Sequence, residues 1–184
     1  MRHSSTTEFV KLNHHHDDLF AYRPERLVVS GLRCTMAGYD LGDPECWNCL
    51  WDVYVAEVGS ETTRRLMGEL QYWVRSVRSA ADHALTYYPM GCRHVCRDEC
   101  LLLSLLSALQ HKNDGCASCA LHALCKSSDR RGVQSLRDPS RAFANALLEV
   151  GEVLLPISLP VLQTIVNAPP QQNSVVLPPS SGTN

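Results

Sequence analysis

Cys92-Arg93-His94-Val95-Cys96-Arg97-Asp98-Glu99-Cys100 runs straight into Leu101-Leu102-Leu103-Ser104-Leu105-Leu106-Ser107-Ala108-Leu109. This stretch decides the fold. Leucine covers most of the circumference of a helix over 97–111, and such a helix is buried on several sides or is buried on one side and partnered on another. Leu102, Leu105, Leu106 and Leu109 are the candidate partner-binding residues. Asn113-Asp114-Gly115 reads as a turn into Cys116-Ala-Ser-Cys119-Ala-Leu-His122-Ala-Leu-Cys125.

Working outward, a third cluster appears at Cys46-Trp-Asn-Cys49. The chain holds 9 cysteines in 184 residues. Cys-x-x-Cys pairs and histidines between cysteines fit zinc, which takes four nitrogen or sulfur ligands in a tetrahedron. Cys96-x3-Cys100 and Cys116-x2-Cys119 have the spacing of two ligand pairs of one structural site. Cys92 or His94 can replace one of these ligands. A second site can join Cys46 and Cys49 to Cys92 and His94. His122 and Cys125 then complete another, because four ligands at steps of three rotate round a helix. Roughly one to three structural zinc ions are expected. The competing reading is a helical protein of buried free cysteines, since cysteine buries readily.

Ser60 to Leu85 reads as a helix with Ser60 as N-cap and Glu61 in its first turn. Leu66, Leu70, Trp73, Val74, Val77 and Ala81 form its apolar stripe. Arg64, Arg65, Arg75 and Arg78 decorate its other faces, as solvated charges or as a nucleic-acid contact. Tyr87-Tyr88-Pro89-Met90-Gly91 carries stop signals. Upstream, Arg26 to Thr35 reads as a short strand with a glycine interruption, and Gly38 to Pro44 as a turn. Downstream, Asp138-Pro139-Ser140 opens a helix over about 140–152 with Ala142, Phe143, Ala146, Leu147 and Val150 on its apolar face.

The ends differ from the middle. Residues 1–26 read as a flexible arm, with His14-His15-His16 as a solvated loop. Residues 153–184 hold no Asp, Glu, Lys, Arg or His and six of the ten prolines. The part from 167 to 184 reads as a disordered tail. Val153 to Val166 is too apolar to stay in water, so it packs back or forms a partner surface. The expectation is a mainly α, zinc-stabilised domain over 27–166, with a short strand and loop at its N-terminal side.

A composition of 45% hydrophobic residues allows a core. A net charge of -2 and a pI near 6.4 disfavour a dedicated polyanion binder. No run spans a membrane, and Pro156 and Pro160 interrupt the longest apolar stretch. The polar start leads to no apolar signal core, so the cysteines are expected to be reduced, in cytoplasm or nucleus. No phosphate-binding loop, nucleophile elbow or catalytic zinc motif is present, and the βαβ context of a redox Cys-x-x-Cys is missing. The chain is expected to bind rather than catalyse.

Three fragments resemble the adenovirus early-region-four 34-kilodalton family: Val29-Ser-Gly-Leu-Arg-Cys34, Cys92-Arg-His94-Val-Cys96 with Cys100, and Ala120-Leu-His122 with Cys125-Lys-Ser-Ser. They occur in that family's order and cover about a quarter of residues 29–128. The chain is much shorter than the family, and 60–90 looks like an insertion. The resemblance implies a viral adaptor that recruits a ubiquitin ligase to host proteins through elongin-binding boxes. Leu121-x3-Cys125 matches half of such a box, with Asp129 where an apolar residue belongs. Ser104 to Leu109 is similar to the box of the lentiviral Vif family, and Gly91-Cys-Arg-His94 to a fragment of the hepatitis B virus X family. All imply a zinc-braced protein that acts on host proteins in cytoplasm or nucleus. The alternatives are a nucleic-acid-binding regulator or silencing suppressor and a structural protein that self-associates.

Overall fold

The computed structural model describes residues 20–125 and 130–169. They form six helices and, among the described residues, no strand. These are α1 (Arg23–Leu41), α2 (Pro44–Ala80), α3 (Arg97–Gln110), α4 (Asp114–Leu124), α5 (Arg130–Glu149) and α6 (Leu159–Asn167). The mainly α architecture agrees with the sequence reading. His14-His15-His16 and residues 170–184 lie outside the described residues.

The expected strand over 26–35 is the centre of α1. Val28 and Val29 suggest a strand locally, but burial overrides that preference. Leu27, Val28, Val29, Leu32 and Met36 all enter the core. Pro24 in the first turn starts the helix, inside the stretch read as an arm, and Gly42, at φ 63°, ends it. Gly38 is helical, so the turn shrinks to Gly42 and Asp43.

Asp43 caps α2 by accepting the Glu45 N–H at 2.9 Å. The helix therefore begins sixteen residues before Ser60 and carries Cys46 and Cys49. A break at Gly59 (φ 80°, ψ 161°) marks the place where a separate helix was expected to start. The distal half buries Leu66, Leu70, Trp73, Val74 and Val77 as the periodicity predicts. It stops at Ala80, before the expected Leu85.

α1 and α2 pack as an antiparallel hairpin. A Cβ added at Gly31 would collide with the Tyr54 hydroxyl, and one at Gly38 would stand 3.0 Å from the Trp47 ring. The two glycines let the backbones approach. Tyr54 secures the contact by donating to the Leu27 carbonyl at 2.8 Å.

α3 runs through the middle of the protein. Asn113 caps α4 by accepting the Cys116 N–H at 3.1 Å, so the expected turn is a helix start. α5 begins well before the expected Ser140 and contains Pro139. An interior proline costs about 3 kcal/mol. Here the stripe of Leu136, Phe143 and Leu147, all buried, continues through it. The Phe143 ring stacks on Trp73 at 5.1 Å.

Beyond Gly151 the chain runs extended to Ser158. Gln110 holds this segment: its amide donates to the Glu152 carbonyl at 3.0 Å, and its carbonyl accepts the Leu154 N–H at 2.8 Å. Leu154, Leu162 and Ile165 are buried. The apolar segment thus packs back on the helices, while Val153, Leu155, Leu159 and Val161 stay exposed.

Candidate functional site

Between α2 and α3 the chain runs without helix from Ala81 to Cys96. Arg33 organises it from within. The guanidinium makes a bidentate pair with Glu99, Nε to Oε1 at 2.6 Å and Nη2 to Oε2 at 3.0 Å. It also donates from Nη1 to the Cys92 carbonyl at 2.6 Å and from Nη2 to the His94 carbonyl at 2.5 Å. A longer bond reaches the Pro89 carbonyl. All five donors of the arginine have acceptors. The rings of Phe20 and Tyr88 stand 5.5 and 6.0 Å from its central carbon. Glu99 in turn accepts the Tyr88 and Cys96 N–H groups, the second being half of a capping box that starts α3.

A second acid, Asp98, anchors the start of the loop. Its Oδ2 accepts both the N–H and the hydroxyl of Thr86, at 2.9 and 2.7 Å. His83 bridges it to Asp82, with ring nitrogens 3.3 Å from Asp98 and 2.7 Å from Asp82. Burial opposes the charged imidazole, but the Asp82 hydrogen bond and the Asp98 charge outweigh it and raise the His83 pKa. Sequence reasoning missed Arg33, His83, Asp98 and Glu99. The one available signal was Glu99 at the third helical position after Cys96.

The expected zinc ligands are dispersed. Cys46 and Cys49 lie on α2 in the neighbourhood of Cys34 of α1. Cys92 is half-buried and His94 exposed on the loop. Cys96 is buried at the N-cap of α3, where its Sγ donates to the Thr86 carbonyl at 2.9 Å. Burial, then the charge of Glu99, pushes its thiol up to about 12. Cys100 points into the core, and burial raises its pKa as well. On α4, Cys116 is buried, Cys119 half-buried and His122 exposed, while Cys125 is buried just beyond. Their step of three turns them to different sides of the helix. Among the described residues, no three His, Cys, Asp or Glu side chains form a group arranged to hold a metal ion.

The expected partner-binding residues lie within the helical packing. Leu102, Leu105 and Leu106 are buried and Leu109 half-buried. Leucine surrounds α3 because other helices and the 152–158 segment surround it, not because one side is open. Leu121 and Cys125, the half-box, are buried too.

Two surface features remain. An open groove of about 480 Å³ between α2 and α5 is lined by Tyr72, Ser76, Ser79, Gln134, Ser135 and Asp138. Ser76, Gln134 and Ser135 already donate to groups of their own helices, so the groove offers little unmet polarity. The other feature is apolar. Among the described residues ten large hydrophobic side chains are exposed; Val153, Leu155, Leu159 and Val161 fall within nine consecutive residues, and Leu148 lies shortly before them.

No family model, curated protein or solved structure matches this chain. The adenoviral resemblance therefore rests on its three fragments alone. No described helix is long and apolar enough to cross a membrane.

Proposed function

We propose that this protein works by binding another protein, as a helical adaptor or regulator, through the uncharged segment 153–161. The observation that carries the reading is the concentration of exposed Val153, Leu155, Leu159 and Val161 in one short stretch. Scattered surface hydrophobics are ordinary, whereas a contiguous group marks an interaction site. The segment is backed by Gln110 and Ser107, which hold its backbone, so a partner would meet a preorganised surface. A host protein is the partner class implied by the viral resemblance. That origin stays part of the proposal, as does a ligase-adaptor role.

The test is a Leu155→Glu/Leu159→Glu variant. It should keep its helical signal and lose the proteins that co-purify with the wild type. Equal capture by both forms would sink the reading. A concentration-dependent oligomer of the pure wild type, lost in the variant, would assign the face to self-association instead. Nucleic-acid binding is the weaker alternative. Arg78 is already paired with Asp40 at 2.6 Å and Arg65 lies 3.6 Å from Glu149.

Zinc is carried in the proposal on the spacing of the cysteines, not on their arrangement. Metal analysis of freshly reduced protein tests it. Stoichiometric zinc supports it, and its absence removes zinc while leaving the binding face.

A further inference from the structure

Cys49 is the one exposed thiol of the nine, and none of the nine is in a disulfide. Its position in the α1–α2 hairpin is fixed by two contacts that bracket it. Tyr54 lies against Gly31, and Trp47 against Gly38. In an antiparallel pair with that register, Cys34 falls beside the turn of α2 that holds Cys46, Cys49 and Leu50. Side chains agree with this placement: Cys49 is the neighbouring side chain that acts most on the Cys34 thiol. Cys34 is 2% exposed, Cys46 half-buried. An accessible thiol thus neighbours an inaccessible one on the adjoining helix.

We propose that Cys49 and Cys34 form a peroxide-responsive thiol pair whose oxidation ties α1 to α2. The Cys49 thiolate attacks hydrogen peroxide. The O–O bond breaks, hydroxide leaves and becomes water by taking up the proton that the Cys49 thiol released, and Cys49 carries a sulfenic acid. The Cys34 sulfur then attacks the Cys49 sulfur. The S–O bond breaks, and the Cys34 proton departs with the second water. Two thiols lose two electrons, peroxide gains two, and one disulfide forms. Cys34 is buried and does not meet oxidant itself. The order of events follows from access: Cys49 is oxidised and Cys34 resolves. Cys34 directly follows Arg33, so the bond would fasten the helix that holds the 81–96 loop.

The other thiols do not offer this pairing. Cys96 is engaged with the Thr86 carbonyl, and Cys116 lies 3.7 Å from the Ile157 carbonyl. Cys46 is the competitor, three residues from Cys49 on the same helix.

The experiment treats the full reduced chain with a small excess of hydrogen peroxide, blocks free thiols and maps linked peptides by mass spectrometry. Chymotryptic cleavage after Tyr39 and Trp47 puts Cys34, Cys46 and Cys49 on separate peptides. The expected product is a Cys34–Cys49 link that forms equally in Cys46→Ser. In Cys34→Ser, dimedone should label Cys49. The wild-type map stands even if the Cys34 variant loses its helical signal. A dominant Cys46–Cys49 link, a first adduct on another cysteine, or no link before overoxidation would overturn the proposal.

Discussion

Arg33 and Glu99 clasp each other with 2% and 0% of their side chains exposed. They come from helices far apart in the sequence and close a loop neither belongs to. Taking both charges out of water is costly, and the pair holds because every donor of the arginine is used. Removing one partner leaves the other charge buried. Glu99→Ala should therefore cost about 3–5 kcal/mol in urea denaturation. Arg33→Lys should cost a large part of that, since an ammonium cannot reproduce the fork that reaches Glu99, Cys92 and His94 together. A loss near zero for both would show that the loop is held by other contacts.

Tyr54 and Gly31 are a coupled pair. The Tyr54 hydroxyl occupies the space a Gly31 Cβ would need. Gly31→Ala should destabilise the fold by about 1–3 kcal/mol through overpacking. Tyr54→Phe should cost about 1 kcal/mol for the lost bond to the Leu27 carbonyl. The double variant should cost less than the sum, because the clash and the bond share one oxygen. Additive costs in a double-mutant cycle would contradict this packing.

The stability should carry a signature of His83. Its pKa is raised in the folded state above the ordinary 6.5. The contribution is therefore fully present below that unfolded value and is lost as the pH rises through the higher folded value. Wild type and His83→Gln should differ most in denaturant midpoint below about pH 6 and converge in mild alkali. A gap that widens with pH would reverse the assignment.

Glu25 makes a contrary prediction about a buried acid. Burial raises its pKa, although the Leu155 N–H it accepts at 2.7 Å works the other way. Its second oxygen has no partner. A raised carboxyl pKa means stability that is present below the unfolded value and falls as the pH rises through the folded one. Glu25→Gln keeps an acceptor for Leu155 and removes the charge. It should leave stability at pH 8 unchanged or higher, and lessen the decline with rising pH. A clear loss at pH 8 would show that the charge is needed, through Arg23 and Glu152 nearby.

Trp73 tests the core between α2 and α5. Its indole N–H donates to Ser140 at 3.1 Å while its ring stacks on Phe143. Trp73→Ala should cost about 3–5 kcal/mol, and Ser140→Ala about 1–3 kcal/mol for a stranded buried donor. Fluorescence-monitored unfolding of Ser140→Ala and circular dichroism of Trp73→Ala measure the two.

Several elements were legible in the chain before any tertiary structure. The leucine run gave α3 nearly to the residue, because no surface helix carries leucine all round. The stripe from Leu66 to Val77 gave the distal half of α2. The uncharged 153–166 segment could be recognised as too apolar for water, to be packed back or to meet a partner, though not that its residues divide between core and surface. The errors have physical causes. Val28 and Val29 favour a strand until a helix buried on most sides rewards them equally. Pro139 reads as a helix start until the Leu136 stripe outweighs its missing hydrogen bond. The cysteine spacing suggested shared ligands, but spacing along a chain does not say which way a helix turns each thiol.

The sequence alone therefore determined the helical class, the central helix and a chain rich in thiols, since these follow from periodicity and composition over short windows. Tertiary structure alone decided that Arg33 seeks Glu99, that Cys49 lies in the neighbourhood of Cys34, and that Leu155 faces water while Leu154 does not. Those outcomes depend on which distant segments share a core. Burial energies of many residues settle that together, and no local pattern encodes it.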